Sequence, residues 1–141
     1  MRFVVERDAL SDGVAWVSRS LSSRPIMPVL LGVVIDAQKK GVHLAGYDLE
    51  TSAKAIITAD VKEEGRVLVS GRLLSDIAKS LPNKPVTISL DGNRVSVISG
   101  SAKFALPTLP VSDYPNLPEL PSETGRLTGE LFAEAVHQVA I

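Results

Sequence analysis

The residues best suited to chemistry in this chain are few and scattered. It has two histidines, His43 and His137, far apart in sequence, and no cysteine. The two histidines lie too far apart to read as a ligand pair, so both read as structural. No Walker A, GxGxxG, GxSxG or HExxH pattern occurs, which removes the common nucleotide, hydrolase and metalloprotease sites. Asp48 and Glu50 share one side of an extended segment, as a carboxylate pair for general acid–base work would. A solvated end between two strands is the simpler reading, because nothing nearby would position a substrate. Arg24, in Ser22-Ser23-Arg24-Pro25-Ile26-Met27-Pro28, follows a helical segment. The prolines stiffen the backbone beside it and lower the entropic cost of presenting a guanidinium to an anion. Interaction with the carbonyl end of the preceding helix explains the same residue equally well. Trp16 lies off the apolar stripe of its helix and could stack on a base, but with no aromatic companion it reads first as packing against a neighbouring helix.

The elements that must position these residues are organised around Gly65 to Leu90. Arg66 to Ser70 reads as a strand, Gly71 to Leu81 as a helix and Pro82-Asn83 as a stop, with a new strand from Val86. Leu74, Ile77, Ala78 and Leu81 follow i, i+3, i+4, i+7 spacing, and Ser70 stands as N-cap. The same opening occurs earlier, where Phe3-Val4-Val5 leads into a helix with Leu10, Val14, Val17 and Leu21 on one face. It begins again at Arg126-Leu127-Thr128, followed by Phe132, Ala135, Val136 and Val139. A recurrence at roughly sixty residues marks a duplicated unit and the start of a third copy.

Val29 to Ala37 is an apolar run that suits a strand buried on both faces. Lys39-Lys40-Gly41 turns the chain into Val42 to Tyr47, and Thr51 to Val61 alternates with a period of two, Ile56 being the exception. The second unit repeats this with Val86 to Leu90, Val95 to Ser99 and Ala102 to Leu106. Turns this short join only antiparallel neighbours. The expected fold is therefore α+β: a duplicated β-α-β-β-β unit of about eight strands, with two helices on one face of an antiparallel sheet. Gly13 inside the first helix costs about 1 kcal/mol relative to alanine, and close helix–helix approach is the expected reason.

A length of 141 residues with 45% hydrophobic and 22% charged residues is ordinary globular composition. No apolar run approaches the ~18 residues of a membrane span, and no signal-peptide core follows Met1. Without cysteine, a cytoplasmic protein without disulfides, metal or other cofactor is expected. The net charge of −1 carries no basic footprint for nucleic acid. Its distribution is uneven: Arg7 to Arg24 sums to +1, Gly71 to Pro85 to +2 and Thr108 to Glu134 to −4. Positive charge thus favours the two helices, where a solvated face is the alternative explanation.

Five prolines between Pro107 and Pro121 indicate a semi-rigid connector, from about 108 to 121. The expected organisation is one domain over 1–121 including this linker, then the opening strand and helix of a second over 122–141. A helix ending at Ile141 in the middle of an apolar face gives the chain the look of a piece of something longer.

Several segments in order resemble the bacterial replicative sliding clamp, the beta subunit of DNA polymerase III. They are Phe3-Val4-Val5-Glu6-Arg7, Arg24-Pro25-Ile26-Met27-Pro28-Val29-Leu30, Gly46-Tyr47-Asp48-Leu49-Glu50, Leu73-Leu74-Ser75-Asp76-Ile77 and Phe104-Ala105-Leu106-Pro107-Thr108-Leu109-Pro110. The wording of Ser70-Gly71-Arg72-Leu73-Leu74 leans toward actinobacterial members. The resemblance implies the DNA clamp fold, in a subunit of three such domains, two subunits closing into a ring whose helices face duplex DNA. It implies no catalysis, no cofactor and no membrane. It places Arg24 and Arg72 at DNA; Lys79 and Arg19 join them from charge and helix phase, with a surface ion pair as the alternative for these two. Contacts to phosphate would be sequence-independent and weakened by salt.

Phe104 and Leu106 match family positions at the subunit interface, where an edge strand would pair with a second clamp subunit. The alternative is that both point into their own core. Polymerase and clamp loader are implied partners through domains beyond this one, so this chain by itself is expected neither to close a ring nor to bind clamp-binding peptides. A different class of reading also remains, a standalone interaction module that captures a partner along the edge strand Ala102 to Leu106.

Overall fold

A computed structural model describes residues 1–140; Ile141, the expected end of the last apolar face, lies outside the described residues. Two units of the same order follow one another. The first comprises β1 (Arg2–Val5), α1 (Arg7–Ser18), β2 (Gly32–Gln38), β3 (Gly41–Tyr47), and β4 (Ser52–Ile57) continued by β5 (Ala59–Glu63). The second comprises β6 (Gly65–Ser70), α2 (Gly71–Ser80), β7 (Val86–Asp91), β8 (Arg94–Ser99) and β9 (Ala102–Leu109). Every strand pairing is antiparallel. The expected α+β duplication is present.

Nine strands form where about eight were expected, because the run from Thr51 to Val61 is divided at Thr58. The division has a structural reason. β4 pairs with β3, whereas β5 pairs with β1. β9 makes the same change of partner without a break, pairing with β8 up to Pro107 and with β6 at Thr108 and Leu109. In each unit the last strand leaves its hairpin partner and joins the first strand of its own unit. The units are joined through β1 with β7 and β2 with β6. The order β4-β3-β2-β6-β9-β8-β7-β1-β5 consequently returns on itself, since Thr58 alone separates β4 from β5.

Both helices lie on one face of this ladder. Leu10, Val14 and Val17 of α1 and Leu74 of α2 are buried among Phe3, Ile35, Leu44, Val69, Ile88 and Val97. Each such side chain contributes about 1.5–3 kcal/mol. α2 starts as its sequence requires, with Ser70 Oγ accepting a hydrogen bond from the Leu73 N–H at 3.4 Å. Gly13 differs from expectation, for its close neighbours are Ile57, Leu44 and Ala55 of the sheet. It admits helix to strand rather than helix to helix.

The opposite face carries a smaller core of Leu30, Val34, Leu68 and Tyr114. β2 is thus buried on both faces, as its unbroken apolar run indicated, but it starts only at Gly32. Pro28–Leu31 forms a 3-10 turn instead, with Leu30 N–H donating to the Met27 carbonyl at 3.0 Å. Proline suits the first position of such a turn because it has a fixed φ and no amide to satisfy. The proline-rich stretch also begins inside the folded unit. Its first residues extend β9, and Tyr114, 6% exposed, then docks on the outer face with Leu117 against the same cluster. A large aromatic side chain offers enough apolar area to hold such a segment down.

From Pro118 to Ala140 every residue is exposed. The strand expected around Arg126 to Thr128 is not formed, since no ladder partner is available to it among the described residues. Helix α3 (Gly129–Val139) does form, with Thr128 Oγ1 accepting from the Leu131 N–H at 3.3 Å. No helix among the described residues is long and apolar enough to cross a membrane.

Candidate functional site

The outward stripes of α1 and α2 carry the polar residues that the inward stripes exclude. Where α1 ends beside α2, a groove of about 400 Å³ is lined by Ser18, Ser22, Ser23, Arg72, Ser75 and Lys79, with Leu21, Leu31 and Asp76 completing it. Arg72 and Lys79 share a side of α2 because seven residues make almost two full turns. Arg24 is exposed one residue beyond Ser23, and its backbone N–H donates to Ser22 Oγ at 3.1 Å, which pins the loop. None of these three cations is held in an ion pair among the described residues. Ser18 Oγ is shielded from solvent without a hydrogen-bond partner. Two cations against one carboxylate give the groove a modest positive balance, with hydroxyl donors around it. Such a surface can hold phosphate oxygens loosely.

Arg19 is not part of that groove. Its guanidinium lies 5.8 Å from the centroid of the Trp16 ring, a cation–π arrangement. Both residues line a second hollow of about 330 Å³ with Ser20, Thr51, Ser52 and Lys54. Trp16 is 54% exposed there, so the expected packing against a neighbouring helix does not occur. It reaches over the edge strand β4 instead. That β4 runs beside α1 was not legible, because nothing local in the sequence says so; Lys54 alternates onto the other face of this strand with Ile56.

Phe104 and Leu106 share one strand face, as the sequence indicates, but that face is the core. Leu106 is 1% exposed within the main cluster, and Phe104 is half-buried against it. Leu106 therefore has no surface to give a partner, which corrects its reading as an interface side chain. What remains open is the backbone. β6 reaches β9 only at Thr108 and Leu109, so Ala102 to Leu106 pair on the β8 side alone.

Asp48 and Glu50 do not form a carboxylate pair. Asp48 Oδ1 accepts the Thr51 N–H at 2.6 Å and the Glu50 N–H at 3.0 Å, closing a turn. These two bonds hold its carboxyl below the usual carboxylate range. Leu49 inside the turn has φ of 79°, a conformation that costs a residue with a β-carbon. On the outer face, His43 borders a hollow of about 540 Å³ with Asp36, Lys54, Ile56 and Arg66, a mixed set of charges without a dominant sign. Among the described residues no group of three or more His, Cys, Asp or Glu could hold a metal ion.

Residues 1–118 match the family described as DNA polymerase III beta subunit, N-terminal domain. Over 141 residues the chain is 52% identical to the beta sliding clamp of Streptomyces coelicolor and 54% identical to that of Micrococcus luteus. It covers 38% and 46% of those proteins, so it spans less than half of the curated relatives it matches. Both relatives are actinobacterial, in line with the wording around Arg72. The solved structure of the DNA polymerase sliding clamp from Bacillus subtilis superimposes on 84% of the chain and 34% of its own, with a TM-score of 0.81 at 30% identity.

Proposed function

Because the chain belongs to the family of the DNA polymerase III beta subunit N-terminal domain, we propose that it forms part of a sliding clamp that encircles duplex DNA and confers processivity on a replicative polymerase. Its role is non-catalytic, and its location is the cytoplasm. The observation that carries this reading is the serine-lined groove in which Arg72 and Lys79 of α2 face the loop before Arg24. Unpaired cations on the outward stripe of α2, facing the serines at the end of α1, suit a phosphate backbone, and hydroxyls add donors without adding charge. The modest positive balance is itself appropriate, for tight phosphate binding would oppose sliding. Retention then comes from closure of a ring, with a second clamp subunit completing it. The open backbone of Ala102 to Leu106 supports strand addition from that subunit, with the half-buried Phe104 beside the junction. Polymerase and clamp loader would be partners of the assembled ring.

Binding of the chain to duplex DNA across a salt series tests the groove. Weak, sequence-independent binding is expected, with log K falling against log salt by about 0.9 per phosphate contacted. Arg24→Ala and Arg72→Ala should each make that slope shallower by about one contact. Duplex binding that ignores both substitutions would overturn the reading. The open edge of β9 also favours a second reading, an interaction module that captures a partner strand. Such a module would be indifferent to Arg24→Ala and would lose its partner when the edge is blocked by a proline at Lys103.

A further inference from the structure

We propose that Trp16 and Arg19 form a site for single-stranded nucleic acid, in which an unpaired base stacks on the indole and a neighbouring phosphate is taken by the arginine. The proposal rests on the clamp reading only in choosing nucleic acid as the partner. Its geometry is separate, because the hollow that Trp16 and Arg19 line shares no residue with the groove that Ser18 lines.

Four observations converge on this hollow. Trp16 keeps more than half of its surface in solvent, so stacking requires no rearrangement of the core. Arg19 already stands over the ring, placing a positive charge within one nucleotide's reach of any base stacked there. No carboxylate lines the Trp16 hollow, and Arg19 is held in no ion pair among the described residues. Thr51 and Ser52 add hydroxyls, and the Asp48 turn fixes the backbone that carries them. Duplex DNA keeps its bases stacked inside and offers only phosphate here. A single strand offers both a π-face and phosphates, so the site distinguishes the two.

The chain's only tryptophan is its own probe. Intrinsic fluorescence of the 141-residue chain would be titrated at low salt with single-stranded oligothymidylate and with a blunt duplex of equal length. Anisotropy of the labelled strands would be followed in parallel. Saturable quenching by the single strand and not by the duplex is expected. Trp16→Ala should weaken single-strand binding about tenfold, and Arg19→Ala several-fold. Absent quenching, equal quenching by duplex, or a Trp16→Ala variant that binds single strands normally would overturn the proposal. If quenching is absent while duplex binding still depends on Arg24 and Arg72, the site fails and the clamp reading stands. If the single strand quenches Trp16 while duplex binding ignores Arg24 and Arg72, the site stands without the clamp reading.

Discussion

Gly13 of α1 lies so close to Ile57 of β4 that a β-carbon on it would stand 2.9 Å from Ile57 Cγ2 and 3.1 Å from Leu44 Cδ1. Alanine would gain about 1 kcal/mol of helix propensity. Against this stands overpacking of about 1–3 kcal/mol, since a branched side chain on a paired strand cannot swing aside freely. Gly13→Ala is expected to lower stability by about 1 kcal/mol in urea denaturation. A more stable variant would show that β4 yields at this point.

Leu106 separates a core role from an interface role. As a fully buried residue it should cost about 2–5 kcal/mol when cut to alanine. The loss should be seen in the denaturation of dilute chain, with no dependence on protein concentration. An unchanged midpoint would return Leu106 to the interface.

Tyr114 carries a buried hydroxyl without a hydrogen-bond partner. Burial raises its pKa above the ordinary 10.0, while the nearby Tyr47 backbone and the Arg66 charge oppose this less strongly. The folded state thus holds its proton more firmly than the unfolded one. The associated stability is complete below pH 10 and falls as pH rises through the folded value. Tyr114→Phe should be neutral or stabilising by up to about 1 kcal/mol near pH 7 and should flatten the alkaline limb of a stability–pH curve. A loss of more than that would reveal a partner for the hydroxyl.

The Asp48 turn predicts two opposite effects. Asp48 titrates below its ordinary 3.8, so its contribution is present above that pH and is lost as pH falls through the lower folded value. Asp48→Asn keeps an acceptor but removes the titration, and should flatten the acid limb. Leu49→Gly relieves the positive φ and should raise stability by up to about 1 kcal/mol, the strain relieved exceeding the added chain entropy. Thermal unfolding of either variant checks the direction.

Much of the architecture was readable without coordinates. The stripe Leu74, Ile77, Ala78, Leu81 and the cap at Ser70 gave α2 to within a residue or two, because helix period and capping are local. Alternation gave the faces of β4 and even continued in phase across Thr58, with Ile57 inward and Ile56 68% exposed. The division at Thr58 was not readable, because it reflects a change of partner strand and leaves no mark on the alternation. Arg72 and Lys79 were placed together by helix phase. Arg19 was grouped with them from its charge and helix phase, while its neighbours across the chain were not visible.

The sequence by itself determined the duplicated β-α-β-β-β order, the antiparallel hairpins and the pairing of inward and outward faces, since these follow from residue periods and turn lengths. Only the tertiary structure decided which surface each face meets. It turned the Phe104–Leu106 face onto the core, laid Tyr114 over the outer sheet, and set Trp16 over the edge strand β4. The physical reason is that a side chain's period fixes its direction from its own backbone, whereas its environment is supplied by residues distant in the chain.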